Sequence, residues 1–266
     1  MSVAIDKIQD LTARHVAPTS KARSTSFLFV HGLWGASWAF DGWLPLAAER
    51  GWDSWAINLR GREDSRPVED LGKVRMQDFA ADVHDALDRL GDVVLLGYSM
   101  GGLAAQMVGG DARVKALVLL CSVPPRGVIV LSGPVLRRAP RYVPAMIAGR
   151  PIRPSREEAA AMIMNDMPLA DRDRWYPSLI ADSGRAAGQI AWGAIKVDPA
   201  SVRCPVLVVS AEHDRISPPS AQRKIVRRYS ADHFAIADRS HLICVEPGWE
   251  SVAGSILDWT DRLSFT

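Results

Sequence analysis

The sequence predicts an α/β fold in which a mostly parallel, doubly wound sheet has helices on both faces and carries one inserted helical cap. Between residues 26 and 120, continuous apolar runs alternate with amphipathic segments. This alternation is typical of a parallel sheet, and unbroken apolar runs are typical of strands covered on both faces. The alternation stops at residue 122 and resumes at residue 204, which indicates an insertion in the fold.

The first half of the chain is predicted to alternate strands with helices. Residues 8–17 are ambiguous, because Leu11 and Val16 are their only strand markers. Apolar runs predict strands at 26–30, 52–59, 93–96 and 114–120. Helical spacing of apolar residues predicts helices at 37–50, 79–90 and 103–108.

The inserted segment is predicted to be a helical cap. We expect residues 122–198 to form this cap, and residues 1–121 and 199–266 to form the core domain. Helical stretches are predicted around 156–165 and 178–192. The part before them contains prolines that argue against one long helix, at positions 134, 140, 144, 151 and 154. After the cap, strands are predicted at 206–210 and 234–237, with helices at 218–229 and near the C-terminus.

The stretch Val93–Gly102 organises the chain. It joins an apolar strand to a helix through Gly97-x-Ser99-x-Gly101, and strand, tight turn and helix are the context in which this motif is meaningful. Glycine suits a turn with no room for side chains beside the serine. The turn would expose the Ser99 hydroxyl and direct the backbone N–H of Met100 at whatever Ser99 attacks. A serine is a poor nucleophile without a base, so the motif predicts partners elsewhere.

The second half supplies those partners. Asp214 follows the strand at 206–210, and His241 follows the strand at 234–237. Parallel strands end at the same edge of a sheet, so both side chains can converge with Ser99 there. Glu212, in the same loop, is a rival to Asp214 as the acid.

A second loop faces the same edge, after the strand at 26–30. In His31-Gly32-Leu33-Trp34-Gly35, the N–H of Leu33 or of Trp34 could be a second donor to an oxyanion. We interpret His31 as a structural residue of this loop, not as the base.

Together these motifs resemble the α/β-hydrolase superfamily over nearly the whole chain, and loosely its esterase, hydroxynitrile lyase and plant methyl-esterase branch. The resemblance rests on His31-Gly32, the 97–102 turn, the Asp214 loop, and Ser240-His241 followed by Glu246-Pro247. One departure from the family pattern is the loop 58–63: it starts with Asn58 where many relatives have Asp, and it lacks the His-Gly that they have near its end, where this chain has Arg62-Glu63. The resemblance implies that Ser99 is the nucleophile, His241 the base and Asp214 the residue that orients it.

The leading hypothesis is a cofactor-free serine hydrolase that cleaves a carboxylic ester through an acyl-enzyme. The same triad could instead hydrolyse a lactone or a C–C bond, or cleave a cyanohydrin. A third hypothesis is a ligand-binding or signalling protein with a slow residual hydrolase site, because one fold serves many functions. A serine nucleophile argues against haloalkane dehalogenase chemistry.

The cap should select the substrate. Six residues are candidates for an apolar pocket, although packing of the cap on the core is an equal alternative: Trp34, Tyr98, Met146, Met164, Trp175 and Trp192. Residues 122–156 contain seven arginines and no Asp or Glu. These arginines either form a solvated face or attract anionic ester substrates.

Composition restricts the other function classes. The net charge of +2 gives no signal for nucleic-acid binding, and no apolar run reaches membrane-spanning length. The N-terminus lacks the apolar region of a signal peptide, so a cytoplasmic protein is expected. No sequence spacing suggests a metal site, and oligomeric state stays open. The cysteines are expected to be buried, reduced thiols, at positions 121, 204 and 244.

Overall fold

The computed structural model describes residues 2–62, 64–128 and 132–264; Glu63, at the end of the loop noted above, lies outside them. The strands form one eight-stranded sheet in the order β1-β2-β4-β3-β5-β6-β7-β8. The six strands from β3 to β8 pair in parallel, which confirms the predicted fold class. The strands are β1 (Ala4–Ile8), β2 (Leu11–Val16), β3 (Ser26–Val30), β4 (Asp53–Ile57), β5 (Val93–Tyr98), β6 (Val114–Leu120), β7 (Val206–Ala211) and β8 (Asp232–Ile236).

The N-terminal hairpin is the main addition to the predicted sheet. β1 and β2 pair antiparallel, and β2 pairs antiparallel with β4 at the edge of the parallel sheet. Four of the five β1 residues are exposed. In β2 the polar residues Thr12, Arg14 and His15 interrupt the apolar run, so the sequence left residues 8–17 ambiguous.

Helices cover both faces of the sheet, and each face packs its own apolar cluster. The predicted helix over 37–50 is divided, because a 3-10 turn over Ser37–Phe40 ends at Asp41 and α1 begins only at Trp43. The core helices are α1 (Trp43–Glu49), α2 (Met76–Leu90), α3 (Met100–Val108), α8 (Pro219–Tyr229) and α9 (Trp249–Asp261).

The described residues between β6 and β7, where the cap was predicted, form four further helices. They are α4 (Gly133–Ala148), α5 (Arg156–Met162), α6 (Leu169–Trp175) and α7 (Gly184–Ala191). As expected, this segment is not one long helix, because α4 ends at Ala148; Pro140 and Pro144, however, lie inside α4 and do not end it. Both prolines are exposed and lie four residues apart on one face, so water can solvate the carbonyls that lose an N–H partner. The boundaries 122 and 198 of the cap stay a prediction.

Candidate active site

Ser99 lies at the junction of β5 and α3, with a φ of +54° that side-chain-bearing residues rarely adopt. The turn is tight enough to require its glycines. A Cβ on Gly97 would lie 2.4 Å from the carbonyl oxygen of Gly101, and a Cβ on Gly101 would lie 2.4 Å from the carbonyl oxygens of Val30 and His31. The strand, the glycines and the helix therefore hold the Ser99 hydroxyl in one place.

The structure brings Ser99, His241 and Asp214 together, although they are far apart in the chain. Nε2 of His241 lies 2.8 Å from Oγ of Ser99, and Nδ1 of His241 lies 2.8 Å from Oδ2 of Asp214. All three residues are buried. A buried carboxylate beside Nδ1 favours the tautomer that leaves Nε2 free to accept the serine proton.

Asp214 is held in position by the backbone of its own loop. Its Oδ1 accepts hydrogen bonds from the N–H groups of Ile216 and Ser217, both at 2.8 Å. These bonds leave Oδ2 directed at His241. The rival acid, Glu212, is exposed and accepts instead from the N–H of Asp238 at 3.3 Å. The geometry therefore favours Asp214 over Glu212.

The loop that carries His241 is anchored on both sides of the residue. The Tyr98 hydroxyl donates to the backbone oxygen of His241 at 3.0 Å. The Glu246 carboxylate accepts from both the N–H, at 2.9 Å, and the hydroxyl of Ser240, and burial raises the pKa of this carboxyl. The backbone oxygen of Ile163, just after α5, accepts from the N–H of Leu242 and lies the same distance, 3.0 Å, from the Ser240 hydroxyl oxygen. The inserted segment thus helps to fix the histidine.

Two backbone N–H groups beside Ser99 could bind an oxyanion. Met100 is the first residue of α3, and neither its N–H nor that of Leu33 donates to any part of the protein that the structure describes. The alternative donor, Trp34 N–H, is already bonded to Oδ2 of Asp182 at 2.9 Å. A Cβ on Gly32 would lie 2.8 Å from Cβ of Ser99, so this loop lies directly against the serine. The geometry favours the Leu33 N–H over that of Trp34.

Two hydrogen bonds hold the His31 ring within the loop framework. Its Nε2 accepts a hydrogen bond from Leu59 N–H at 3.2 Å, which assigns the ring proton to Nδ1, where it is donated to the oxygen of Gly32 at 2.9 Å. Burial, reinforced by the nearby guanidinium of Arg62, lowers the pKa of His31 to about 3. His31 is therefore neutral at ordinary pH and lies in the loop framework.

A cavity of about 540 Å³ opens beside Ser99 and His241. Four of the predicted pocket residues line it: Trp34, Tyr98, Met146 and Trp192. The prediction is wrong for Met164 and Trp175, which are not in its wall. Met164 is buried in an apolar cluster of the core, and Trp175 stacks on Trp38 with ring centroids 5.4 Å apart. Trp38 does line the cavity, so Trp175 supports its wall from behind.

One arginine of the predicted cationic segment reaches this cavity. Arg126 is exposed and is the only Arg or Lys among the described lining residues. The structure places the others away from the cavity; for example, Arg141 pairs with Glu158 and Arg156 with Asp173. Because α4 turns one face to the cavity, its arginines lie on another side of the helix.

Sequence reasoning missed Arg62 and Asp182, whose side chains form an ion pair beside the Leu33 loop. No local motif marks either residue, because the pair forms between segments far apart in the chain. A possible cation cluster of Glu212, His213 and Asp238 also occurs, with ligand atoms within 4.8 Å of one another. All three residues are exposed, and His213 already pairs with Asp166, so we assign no metal to them.

Comparisons with known proteins place this geometry in context. A model of the "Alpha/beta hydrolase family" matches residues 27–251. "Putative esterase/lipase 2" of Mycoplasma genitalium is 29% identical over 104 residues, a match that spans 38% of this chain and only 38% of that relative.

No helix in the described part of the chain is long and apolar enough to cross a membrane.

Solved structures share the fold at low sequence identity. A thermophilic esterase from Thermogutta terrifontis superposes with a TM-score of 0.72 at 20% identity, over 98% of each chain. A bromoperoxidase from Bacillus anthracis superposes with a TM-score of 0.74 at 16% identity, over 98% of this chain and 100% of its own. Because the family model covers most of the sequence and the sheet has the expected parallel order, this chain belongs to the alpha/beta hydrolase family.

Proposed function

We propose that this hydrolase is a cofactor-free serine esterase that cleaves a carboxylic ester through an acyl-enzyme. The observation that carries the proposal is the hydrogen-bonded series Ser99 Oγ, His241 Nε2, His241 Nδ1 and Asp214 Oδ2, with 2.8 Å at each contact. The esterase and lipase names among its relatives agree with it.

In the proposed reaction, Ser99 Oγ attacks the ester carbonyl carbon while His241 Nε2 takes the hydroxyl proton. The carbonyl oxygen becomes an oxyanion, which the N–H groups of Met100 and Leu33 would stabilise. Collapse breaks the bond to the alcohol, which leaves with the proton held by His241. Water then attacks the acyl-enzyme, His241 again accepts and returns a proton, and the carboxylic acid departs.

Apolar side chains form most of the cavity wall, which fits an ester with an apolar acyl or alcohol part. The same residues could act on a lactone, a C–C bond or a cyanohydrin. A fluorophosphonate probe should label Ser99, because it reacts with an activated serine. Turnover of a panel of simple esters, lactones and cyanohydrins would then separate the proposed reaction from the alternatives. A chain that binds ligands without turning over any of the panel would instead be a binding protein.

The pH profile of esterase activity tests the base. We expect kcat/KM to fall on acidification, because the proposed base must be a neutral imidazole and a protonated His241 could not accept the serine proton. The buried His31 has a pKa lowered to about 3, so its protonation cannot cause a loss that sets in well above that pH. A profile that stays flat down to about pH 4.5 would contradict the assignment of His241 as base.

Anionic esters are the substrate class that Arg126 would favour. We expect a carboxylated ester to show a higher kcat/KM than a matched neutral ester at low salt. The advantage should shrink as the Debye length falls from about 30 Å at 0.01 M to about 8 Å at 0.15 M. Arg126→Gln should remove most of it, whereas Arg137→Gln, an exposed arginine outside the cavity wall, should keep it.

Equal rates for the two esters in wild type, or equal effects of the two substitutions, would contradict this selectivity. We would measure kcat/KM for both esters with each variant at low and at high salt. A general loss of activity then cancels in the ratio of kcat/KM for the anionic ester to kcat/KM for the neutral ester.

A further inference from the structure

Arg62 and Asp182 form a buried ion pair between the loop after β4 and the segment that leads into α7, and neither side chain is exposed. The guanidinium of Arg62 also donates to the oxygen of Arg60 at 2.8 Å and lies 4.8 Å from the ring centre of Phe79. Buried charges lose hydration, so each is held strongly by the partner that replaces the water. The pair is therefore a fixed link between the core and the inserted segment.

Trp34 is bonded to the segment that carries Asp182 through both of its backbone polar groups. Its N–H donates to Oδ2 of Asp182 and its oxygen accepts from Ile180 N–H, each at 2.9 Å. Trp34 has a φ of +66° and is the third residue of a turn closed by Gly35 N–H to Gly32 O at 3.3 Å. A positive φ there is typical of a type II turn and normally favours glycine. The Asp182 carboxylate stabilises a conformation that tryptophan alone disfavours.

The same turn carries Leu33 N–H, and its Gly32 lies against Ser99. We propose that Asp182, held in place by Arg62, is a positioning residue for oxyanion binding: by fixing Trp34 it directs the Leu33 N–H at the oxygen that becomes negative when Ser99 attacks. Donors to an oxyanion act only at the correct distance and angle, so a small movement of this turn is costly. The inference rests on the proposed esterase function.

The test is Asp182→Asn, which keeps the side-chain volume and removes the charge. We expect kcat/KM for a p-nitrophenyl ester to fall about tenfold to hundredfold, mostly in kcat. The inhibition constant of a trifluoromethyl ketone, which adds to a serine hydroxyl and forms an oxyanion, should rise by a similar factor. Affinity for the corresponding alcohol, which forms no oxyanion, should stay within about twofold of the wild type. The ratio of the two inhibition constants is the readout, because general destabilisation of the fold would not change it.

Asp82→Asn is the matched control. Asp82 is also fully buried and pairs with two arginines, Arg60 and Arg66, outside the cavity wall. The Asp82→Asn variant should have a lower thermal midpoint and an unchanged ratio of the inhibition constants of the ketone and the alcohol. Arg62→Lys, which retains the charge and loses the planar fork, should shift the ratio in the same direction as Asp182→Asn but less. If Asp182→Asn does not fold, the Arg62→Lys ratio decides.

An unchanged ratio in the folded Asp182 variant, or an equal change in the Asp82 variant, would overturn the positioning role. Failure of the esterase proposal is seen separately and earlier, in the wild-type chain. That chain would then neither turn over the ester nor be labelled at Ser99 by the fluorophosphonate, and both proposals would be rejected.

Discussion

Ser99→Ala is expected to lower kcat by about a millionfold, the loss measured on removing the serine of another triad enzyme. The substitution removes only the Oγ atom that lies 2.8 Å from His241 Nε2. Alanine keeps the Cβ of serine, so the close contacts that hold this turn at a φ of +54° act on it equally and the turn should persist. Measurement of ester turnover, with circular dichroism and the thermal midpoint recorded on the same sample, checks both parts of the expectation.

The matched control for Ser99→Ala is Ser54→Ala. Ser54 is also fully buried, and its hydroxyl donates to the oxygen of Trp52 at 3.2 Å, within the sheet and away from the cavity. This variant should keep nearly all of its activity and its labelling by the fluorophosphonate. A Ser99→Ala enzyme that retains more than a few per cent of activity would show that another residue is the nucleophile.

Asp214→Asn is expected to lower kcat by about a thousandfold to ten-thousandfold. The N–H groups of Ile216 and Ser217 both point at Oδ1, so the amide oxygen of asparagine would take that position. Its NH₂ group would then face His241 and donate to Nδ1. Because Nδ1 would become an acceptor, the ring proton would move to Nε2, which could no longer accept the proton of Ser99.

Glu212→Gln separates the two candidate acids. Glu212 is exposed, and its carboxylate accepts a hydrogen bond from the backbone N–H of Asp238, at 3.3 Å. The glutamine of the variant should therefore leave kcat within about twofold of the wild type. The comparison uses the same ester and pH for both variants. If Glu212→Gln proves the more damaging change, Asp214 is not the residue that orients His241.

The parallel sheet could be predicted because its strands are buried on both faces and therefore appear as continuous apolar runs. The convergence of Ser99, Asp214 and His241 could be anticipated because each follows a strand of the parallel part of the sheet, and parallel strands end at one edge. The acid could be ranked but not decided from the sequence, since Glu212 and Asp214 share one loop. Only the direction of each side chain separates them.

Features that depend on distant contacts could not be predicted. Arg62 and Asp182 are 120 positions apart, and neither residue stands in a recognisable pattern. The oxyanion donor stayed open between Leu33 and Trp34 because the choice depends on Asp182, a residue of another segment. Helix α4 was missed because proline is normally unfavourable inside a helix. Pro140 and Pro144 are exposed on one face of α4, so water can solvate the carbonyls that lose a hydrogen bond and the loss of helix stability is smaller.

The carbonyl of Ile163 bears on how this enzyme could be engineered. It accepts a hydrogen bond from Leu242 N–H and contacts the Ser240 hydroxyl in the loop that holds His241, so the helical segment between β6 and β7 supports the histidine as well as lining the cavity. Chimeras that exchange residues 122–198 for the corresponding segment of a relative would alter substrate choice and histidine placement together. A graft that keeps residues 156–164 native and replaces only the cavity-facing part of α4 would separate the two, and selectivity could then evolve without loss of turnover.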